Sequence, residues 1–262
     1  MARGGSGTIA DALAKVITDA GGEIECGRRI DDLGQLPASR ATLLDLTPRQ
    51  VVSVAGQRLP DRYRRALLRY RYGPGVFKVD WALDGPIPWT NDAARGAGTV
   101  HVGGTFEEVA EAEATVAAGR HHERPFVLLA QQSLFDETRA PEGRHTAWAY
   151  CHVPSGSPRD MTDAIESQIE RFAPGFRDLV LARHTMSSEQ FERYDANYVG
   201  GEINGGVADL RQFLARPVVS LHPWRTPVDG LYLCSSSTPP SGGVHGVCGA
   251  QAARLALRHS LR

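Results

Sequence analysis

Residues 230–262 restrict this chain more than any other stretch. Leu231, Tyr232, Leu233 and Cys234 form an apolar run between Gly230 and a serine cluster, which is the pattern of a short buried strand. A polar glycine-rich loop follows. From Gly246 onward Val247, Ala250, Ala253, Leu255 and Leu257 give a helix with a small-residue face that can pack closely on a sheet. Strand, loop and helix in that order place a helix N-terminus, with unpaired amides and partial positive charge, behind Gly242, Gly243 and Gly246. Such a loop can bring backbone against a phosphate, and it can equally be a tight turn before a terminal helix.

The string Ser235-Ser-Ser-Thr-Pro-Pro-Ser-Gly-Gly-Val-His-Gly-Val-Cys-Gly249 narrows this. It resembles the C-terminal flavin-binding signature of the phytoene-desaturase-like FAD-dependent oxidoreductases, in the branch named for pyridine nucleotide-disulfide oxidoreductase domain 2. Four further strings resemble the same branch in the same order: Tyr72-Gly-Pro-Gly-Val-Phe-Lys-Val-Asp-Trp-Ala-Leu-Asp-Gly-Pro-Ile-Pro-Trp89, Gly98-Thr-Val-His-Val-Gly-Gly104, Gln168-Ile-Glu-Arg-Phe-Ala-Pro-Gly-Phe176 and Asn197-Tyr-Val-Gly-Gly-Glu-Ile-Asn-Gly-Gly206.

The resemblance implies FAD as cofactor and hydride transfer from a lipophilic or unsaturated small molecule, by desaturation or redox-neutral isomerisation. It implies that Ser236, Ser237, Thr238, Gly242, Gly243, Val244, His245 and Gly246 line the flavin, and that residues 197–206 lie near it. Read from the residues alone, residues 197–206 are also an ordinary surface loop, and His245 is either a turn residue bonding nearby backbone or a contact at the flavin edge. Ser241 departs from the branch, which carries glycine there; if that position needs positive φ, serine is strained. No catalytic side chain is assigned, because a flavin does its own redox chemistry and asks of the protein mainly position, dryness and hydrogen bonds.

Near the other end, Gly5-x-Gly7-x-x-Ala10 matches the dinucleotide fingerprint formally, but that fingerprint needs a strand immediately before it and only four residues precede it. The family's N-terminal βαβ unit therefore has no counterpart in this sequence. The expected fold is α+β: an α/β flavoprotein fold lacking its N-terminal Rossmann βαβ unit, with a mixed-sheet substrate domain and a C-terminal FAD-binding segment. The expected division is residues 1–48 with 218–262 as the remnant of the FAD-binding domain, and 49–217 as the substrate domain. A complementary Rossmann-bearing chain or a homo-oligomer is the partner this implies. The competing reading is a flavin-free remnant acting as a partner subunit or structural protein.

Other classes are excluded by composition and spacing. A net charge of −1 gives no global electrostatic case for nucleic acid. There is no apolar run of about 18 residues and no apolar secretory h-region, so the expectation is a cytoplasmic protein, with peripheral membrane contact open to it. Cys26, Cys151, Cys234 and Cys248 are widely spaced, which fits reduced structural thiols. His121-His122-Glu123 lacks a matching cluster and no His-Glu-x-x-His occurs, so no metal is expected. Ser237 and His245 suggest a hydrolase pair, but there is no Gly-x-Ser-x-Gly elbow. The arginine-rich segment at residues 61–72 reads as a helix with Tyr63, Ala66, Leu67 and Tyr70 toward a core and a solvated arginine face; a nucleic-acid or lipid patch is the sharper alternative.

Elsewhere, Ile9, Leu13, Val16 and Ile17 predict a helix ended by Gly21-Gly22. Strands are predicted over 23–30, 41–46, 76–83, 100–102, 125–130, 146–152 and 176–182, the first two in the flavin-domain sheet. Helices are predicted over 105–118, opened by a Thr105 capping box, and over 161–172.

Overall fold

The structure, a computed structural model, describes residues 2–261. Among these the order is α1 (Gly7–Asp19), β1 (Thr42–Leu44), α2 (Pro48–Ala55), α3 (Asp61–Leu68), β2 (Gly75–Leu83), α4 (Asp92–Arg95), β3 (Thr99–Val102), α5 (Phe106–Ala117), β4 (Val127–Ala130), β5 (His145–Val153), α6 (Thr162–Glu170), β6 (Val180–Met186), α7 (Ser188–Tyr194), α8 (Leu210–Leu214), β7 (Leu231–Leu233) and α9 (Val247–His259). The fold is mixed α+β, with one parallel strand pair and one five-stranded sheet among the described residues. Among the described residues no helix is long and apolar enough to cross a membrane.

Two compact units form, each discontinuous in sequence. One takes residues 1–28 with 76–190, the other 29–75 with 191–262. These boundaries differ from the expected 1–48 with 218–262 and 49–217, for two reasons. Gly4 donates its amide to Asp136 at 2.7 Å and Arg3 pairs with Glu137 at 2.6 Å, which ties the first residues to the large sheet. Val51, Ala55, Leu59 and Leu67, from α2, α3 and their connection, instead share a buried cluster with Leu44, Leu231 and Leu233.

The first unit is built on the sheet β3-β4-β5-β2-β6. Alternate residues Phe77, Val79, Trp81 and Leu83 of β2 and Ala147, Ala149, Cys151 and Val153 of β5 share one core with Ile165 and Ile169 of α6, as period-two strands facing a helix require. The expected capping box is present on α5: Thr105 and Glu108 exchange side-chain-to-amide bonds of 3.3 and 2.9 Å. Two strand expectations fail. Residues 23–30 form no strand: Gly27 takes φ 74°, Arg28 folds back on Glu25 at 3.1 Å, and Ile24 is left exposed without a neighbouring strand. The strand expected from Phe176 starts at Val180, because a 3-10 turn occupies Arg177–Leu179 and Phe176 is a fully buried plug, edge-on to Trp81 at 5.3 Å.

The second unit carries the glycine loop. β1 and β7 pair in parallel, Thr42 opposite Leu231 and Leu44 opposite Leu233. Both faces of β7 are covered, which is why its sequence is continuously apolar rather than alternating. Leu231 and Leu233 point into the cluster with α2 and α3, while Tyr232 packs with Ala252 and Ala256 of α9. The two alanines, four apart on one helical face, allow the close approach, and the buried face is Cys248, Ala252 and Ala256 rather than the expected stripe of Val247, Ala250, Ala253, Leu255 and Leu257, of which Val247, Ala250 and Leu257 are exposed. Tyr232 and Ser260 share a hydroxyl bond of 2.8 Å at the far end of α9.

Candidate cofactor site

The loop leaves β7 under tight control. Cys234 donates its amide to Leu44 O at 2.9 Å and Ser235 its hydroxyl to Leu46 O at 2.8 Å, so the loop inherits its position from β1. Thr238 then closes back on Ser235 O with both amide (2.9 Å) and hydroxyl (2.7 Å). Ser237 donates its hydroxyl to Gly205 O at 2.8 Å. Ser237 and Thr238 are buried, and their hydroxyls are spent on these internal bonds.

Gly205 O is a hub. It accepts from Ser237, from the Tyr70 hydroxyl at 2.6 Å and from Arg216 Nη2 at 3.1 Å. Arg216 is only 2% exposed; its Nη2 also reaches the Tyr70 oxygen at 2.9 Å and its Nη1 donates to Ser241 Oγ at 2.5 Å, while its Nε is buried without a partner among the described residues. Glu202 is equally buried and accepts the amides of Asn204 (2.5 Å) and Gly206 (2.6 Å), which folds residues 202–206 around one carboxylate. Burial pushes the Glu202 carboxyl above its ordinary range, against the pull of those amides and of Arg216. Burial likewise raises the Tyr70 phenol, and Arg216 opposes it.

Gly205 and Gly206 are sterically required. A Cβ on Gly205 would meet Ser236 Oγ at 2.1 Å, and one on Gly206 the Tyr70 hydroxyl at 2.0 Å, with φ of 73° and 133°. This segment is therefore locked against the 235–246 loop rather than being a free surface turn.

Beyond Thr238 the loop opens outward. Ser241 has φ 102°, the positive value its glycine counterpart would take without strain. Gly242, Gly243, Val244, His245 and Gly246 are all exposed, Val244 completely. Gly246, in the left-handed region, is the N-cap residue of α9 and has no side chain of its own to close the first turn. His245 Nδ1 accepts the Val247 amide at 3.0 Å, the backbone-bonding role, and the other amides of the first turn meet no capping side chain. The eight residues expected at a cofactor thus divide in two: Ser237 and Thr238 are buried scaffold beside half-buried Ser236, and Gly242 to Gly246 form an open rim on a 13-residue helix. A helix N-terminus with a glycine N-cap and exposed glycine backbone around it, only its first amide taken by His245, fits an anionic group such as a dinucleotide diphosphate.

Glu202 and Arg216 were not among the expected site residues, and Tyr70 was expected only to face a core, as it does. The available signal was the lone carboxylate inside a glycine run, since a charge there needs either solvent or a partner.

No family model matches the chain. It is 36% identical over 152 residues to pyridine nucleotide-disulfide oxidoreductase domain-containing protein 2 of Rattus norvegicus, covering 53% of this chain and 26% of that protein. It is 29% identical over 274 residues to the neurosporene-forming phytoene desaturase of Rhodobacter capsulatus, covering 94% of this chain and 51% of that enzyme. A solved oxidoreductase from Methanosarcina mazei shares its fold, with a TM-score of 0.60 over 98% of this chain and 54% of that one at 17% identity. The resemblance read from the motifs is borne out: the homologues of this chain are pyridine nucleotide-disulfide oxidoreductase domain-containing protein 2 and a phytoene desaturase, and the likeness lies in the C-terminal half. It spans about a quarter to a half of the length of these curated relatives.

Proposed function

We propose that this chain supplies the flavin-facing C-terminal part of an FAD-dependent oxidoreductase that removes hydride from a lipophilic or unsaturated small molecule. In this reading the unit of residues 29–75 and 191–262 meets the cofactor and the five-stranded sheet of the other unit serves the substrate. FAD, when bound, supplies the hydride acceptor. The observation that carries the proposal is the start of α9: a left-handed glycine N-cap, Gly246, behind an exposed glycine run, in a homologue of this family.

Each residue then has a physical task. Gly242, Gly243 and Gly246 let backbone amides approach the cofactor without an intervening Cβ, and the partial positive charge of α9 favours its diphosphate. Ser236, Ser237 and Thr238 hold the loop that presents those amides, and Val244 and His245 flank it. The Arg216–Tyr70–Gly205 hub fixes the loop at its base. A Gly-x-Gly-x-x-Gly βαβ unit, in the same polypeptide or a companion chain, completes the adenosine side.

The test is flavin uptake. The chain is mixed with FAD, alone and together with a chain carrying that βαβ unit, desalted, and its visible absorption recorded; flavin retained in either mixture, and lost in Gly243→Val at unchanged circular dichroism, is expected. Absence of flavin from both mixtures refutes the proposal and leaves a flavin-free partner or structural subunit.

A further inference from the structure

The five-stranded sheet has two edges, and they are built differently. β6, at one end, carries Arg183 and His184 and a register shift beside Ala82 and Leu83, devices that discourage pairing with another strand. β3, at the other end, reads Thr99-Val-His-Val102 and has no lysine, arginine, proline or bulge. Its register fixes which backbone groups it leaves free. Gly98 O accepts the Gln131 amide at 2.9 Å, so by the alternation of an antiparallel ladder Val100 and Val102 bond to β4, while the N–H and C=O of Thr99 and His101 point away from the sheet. Those outward groups have no hydrogen-bond partner among the described residues, and both residues are exposed.

β3 and the turn after it, Val100 to Gly104, form one side of a cavity of about 280 Å³. Trp89, Ala94, Phe126 and Phe172 wall the rest. Protein contacts hold these walls in place. Gln131, only 3% exposed, accepts the Trp89 indole N–H at 2.9 Å and donates to the Ala94 and Ala97 carbonyls at 3.0 and 2.8 Å. Thr90 donates its amide and its hydroxyl to Phe172 O at 2.9 and 3.0 Å, and Phe126 stands edge-on to His101 at 5.5 Å. An open strand edge and a preformed apolar recess therefore share one border.

We propose that the outer edge of β3 takes up a short extended segment of another polypeptide, which pairs with Thr99 and His101 and seats one large apolar side chain, phenylalanine or leucine, in the cavity. The two features together select this occupant. Free strand N–H and C=O groups are complementary to a peptide backbone, and a pocket beside them reads an alternate side chain of the added strand. A small apolar molecule would fill the cavity and leave the strand edge in water. A second copy pairing edge to edge would bring Val100 and Val102, which already pack in their own core, and would leave the cavity empty. The docking does not depend on bound flavin.

Titration calorimetry of the full chain with terminally blocked peptides tests this. The probes are Ser-Thr-Val-Phe-Val-Thr-Ser and its versions with leucine or alanine in place of phenylalanine. The phenylalanine or the leucine peptide should bind, and alanine in that place should weaken binding tenfold or more. Two N-methylated versions, one on each alternate set of peptide nitrogens, should differ: one binds as before, and the other loses about fivefold for each hydrogen bond removed. His101→Pro deletes an outward amide at an edge position where proline is tolerated, so it should weaken binding about fivefold at unchanged circular dichroism. If that variant does not fold, hydrogen exchange on the unaltered chain reads the same bonds: the Thr99 and His101 amides should gain protection when peptide binds. No binding of either apolar peptide, equal binding of both N-methylated versions, or no gain of protection at Thr99 and His101 overturns the proposal. So does a concentration-dependent dimer, abolished by His101→Pro, in a chain that binds no peptide.

Discussion

Ser241 offers the sharpest test of the loop, because two effects of similar size oppose each other there. At φ 102° a residue with a Cβ is strained relative to glycine by about 1–2 kcal/mol. Against this, Ser241 Oγ accepts a hydrogen bond from Arg216 Nη1 at 2.5 Å, and a bond to a charged donor contributes about 1.5–3 kcal/mol. Ser241→Ala loses the bond and keeps the strain, so it should destabilise by about 1.5–3 kcal/mol. Ser241→Gly loses the same bond but relieves the strain, with part of that relief returned to the greater freedom of glycine in the unfolded chain; its net loss should be about 1 kcal/mol. Glycine should therefore be the better tolerated replacement by about 1 kcal/mol, although alanine is nearer to serine in size. Urea unfolding of the three proteins, with the slope checked for constancy, reads this difference directly. If Ser241→Ala proved as stable as Ser241→Gly, the backbone strain would be absent and the reading of this loop as a glycine-type turn retained at a cost by serine would be wrong.

Arg216→Gln should destabilise by about 3 kcal/mol, since it removes the buried charged donor shared by the Tyr70 and Gly205 oxygens and the positive charge that opposes the burial of Glu202. Adding Glu202→Gln should cost less than the sum of the single variants by about 1 kcal/mol or more in a double-mutant cycle, and strict additivity would disprove the coupling. Gly206→Ala, which drives a Cβ into both the Tyr70 hydroxyl and its ring, should be among the most damaging single-methyl changes, and Tyr70→Phe, which keeps the clashing ring carbons, should fail to rescue it, as thermal melts of the pair would show. In the sheet unit, burial pushes the Cys151 thiol from its ordinary 9.0 up to about 12, so the folded state favours the protonated form. The stability this brings is complete below the unfolded thiol's pKa and is lost as pH rises through that of the folded one. The urea midpoint of the unaltered chain should accordingly fall between pH 9 and 12, and fall less steeply in Cys151→Ala; identical slopes would refute the assignment.

The sequence by itself determined the local elements and the order in which they meet the site. The continuous apolar run at β7, the helix α9 and the Thr105 capping box each depend on residues within a few positions of one another, and each formed where the pattern placed it, although α9 buries Ala252 and Ala256 rather than Ala250 and Ala253. The glycine signature gave the family for the same reason, being a contiguous string. Where a strand needed a distant neighbour, periodicity alone misled: residues 23–30 alternate but have no sheet edge to join, and Phe176 was drawn into the core ahead of its strand. The division of the chain into units also lay beyond local pattern, since it depends on Asp136 reaching Gly4 and on α2 packing under β7. Tertiary structure alone decided that Ser237 and Thr238 face inward to Gly205 while Gly242 to Gly246 face outward, and that Arg216 joins Tyr70, 146 residues away, at one carbonyl. A buried cation is stable only beside acceptors that long-range folding brings to it, so no reading of neighbouring residues could have named its partners.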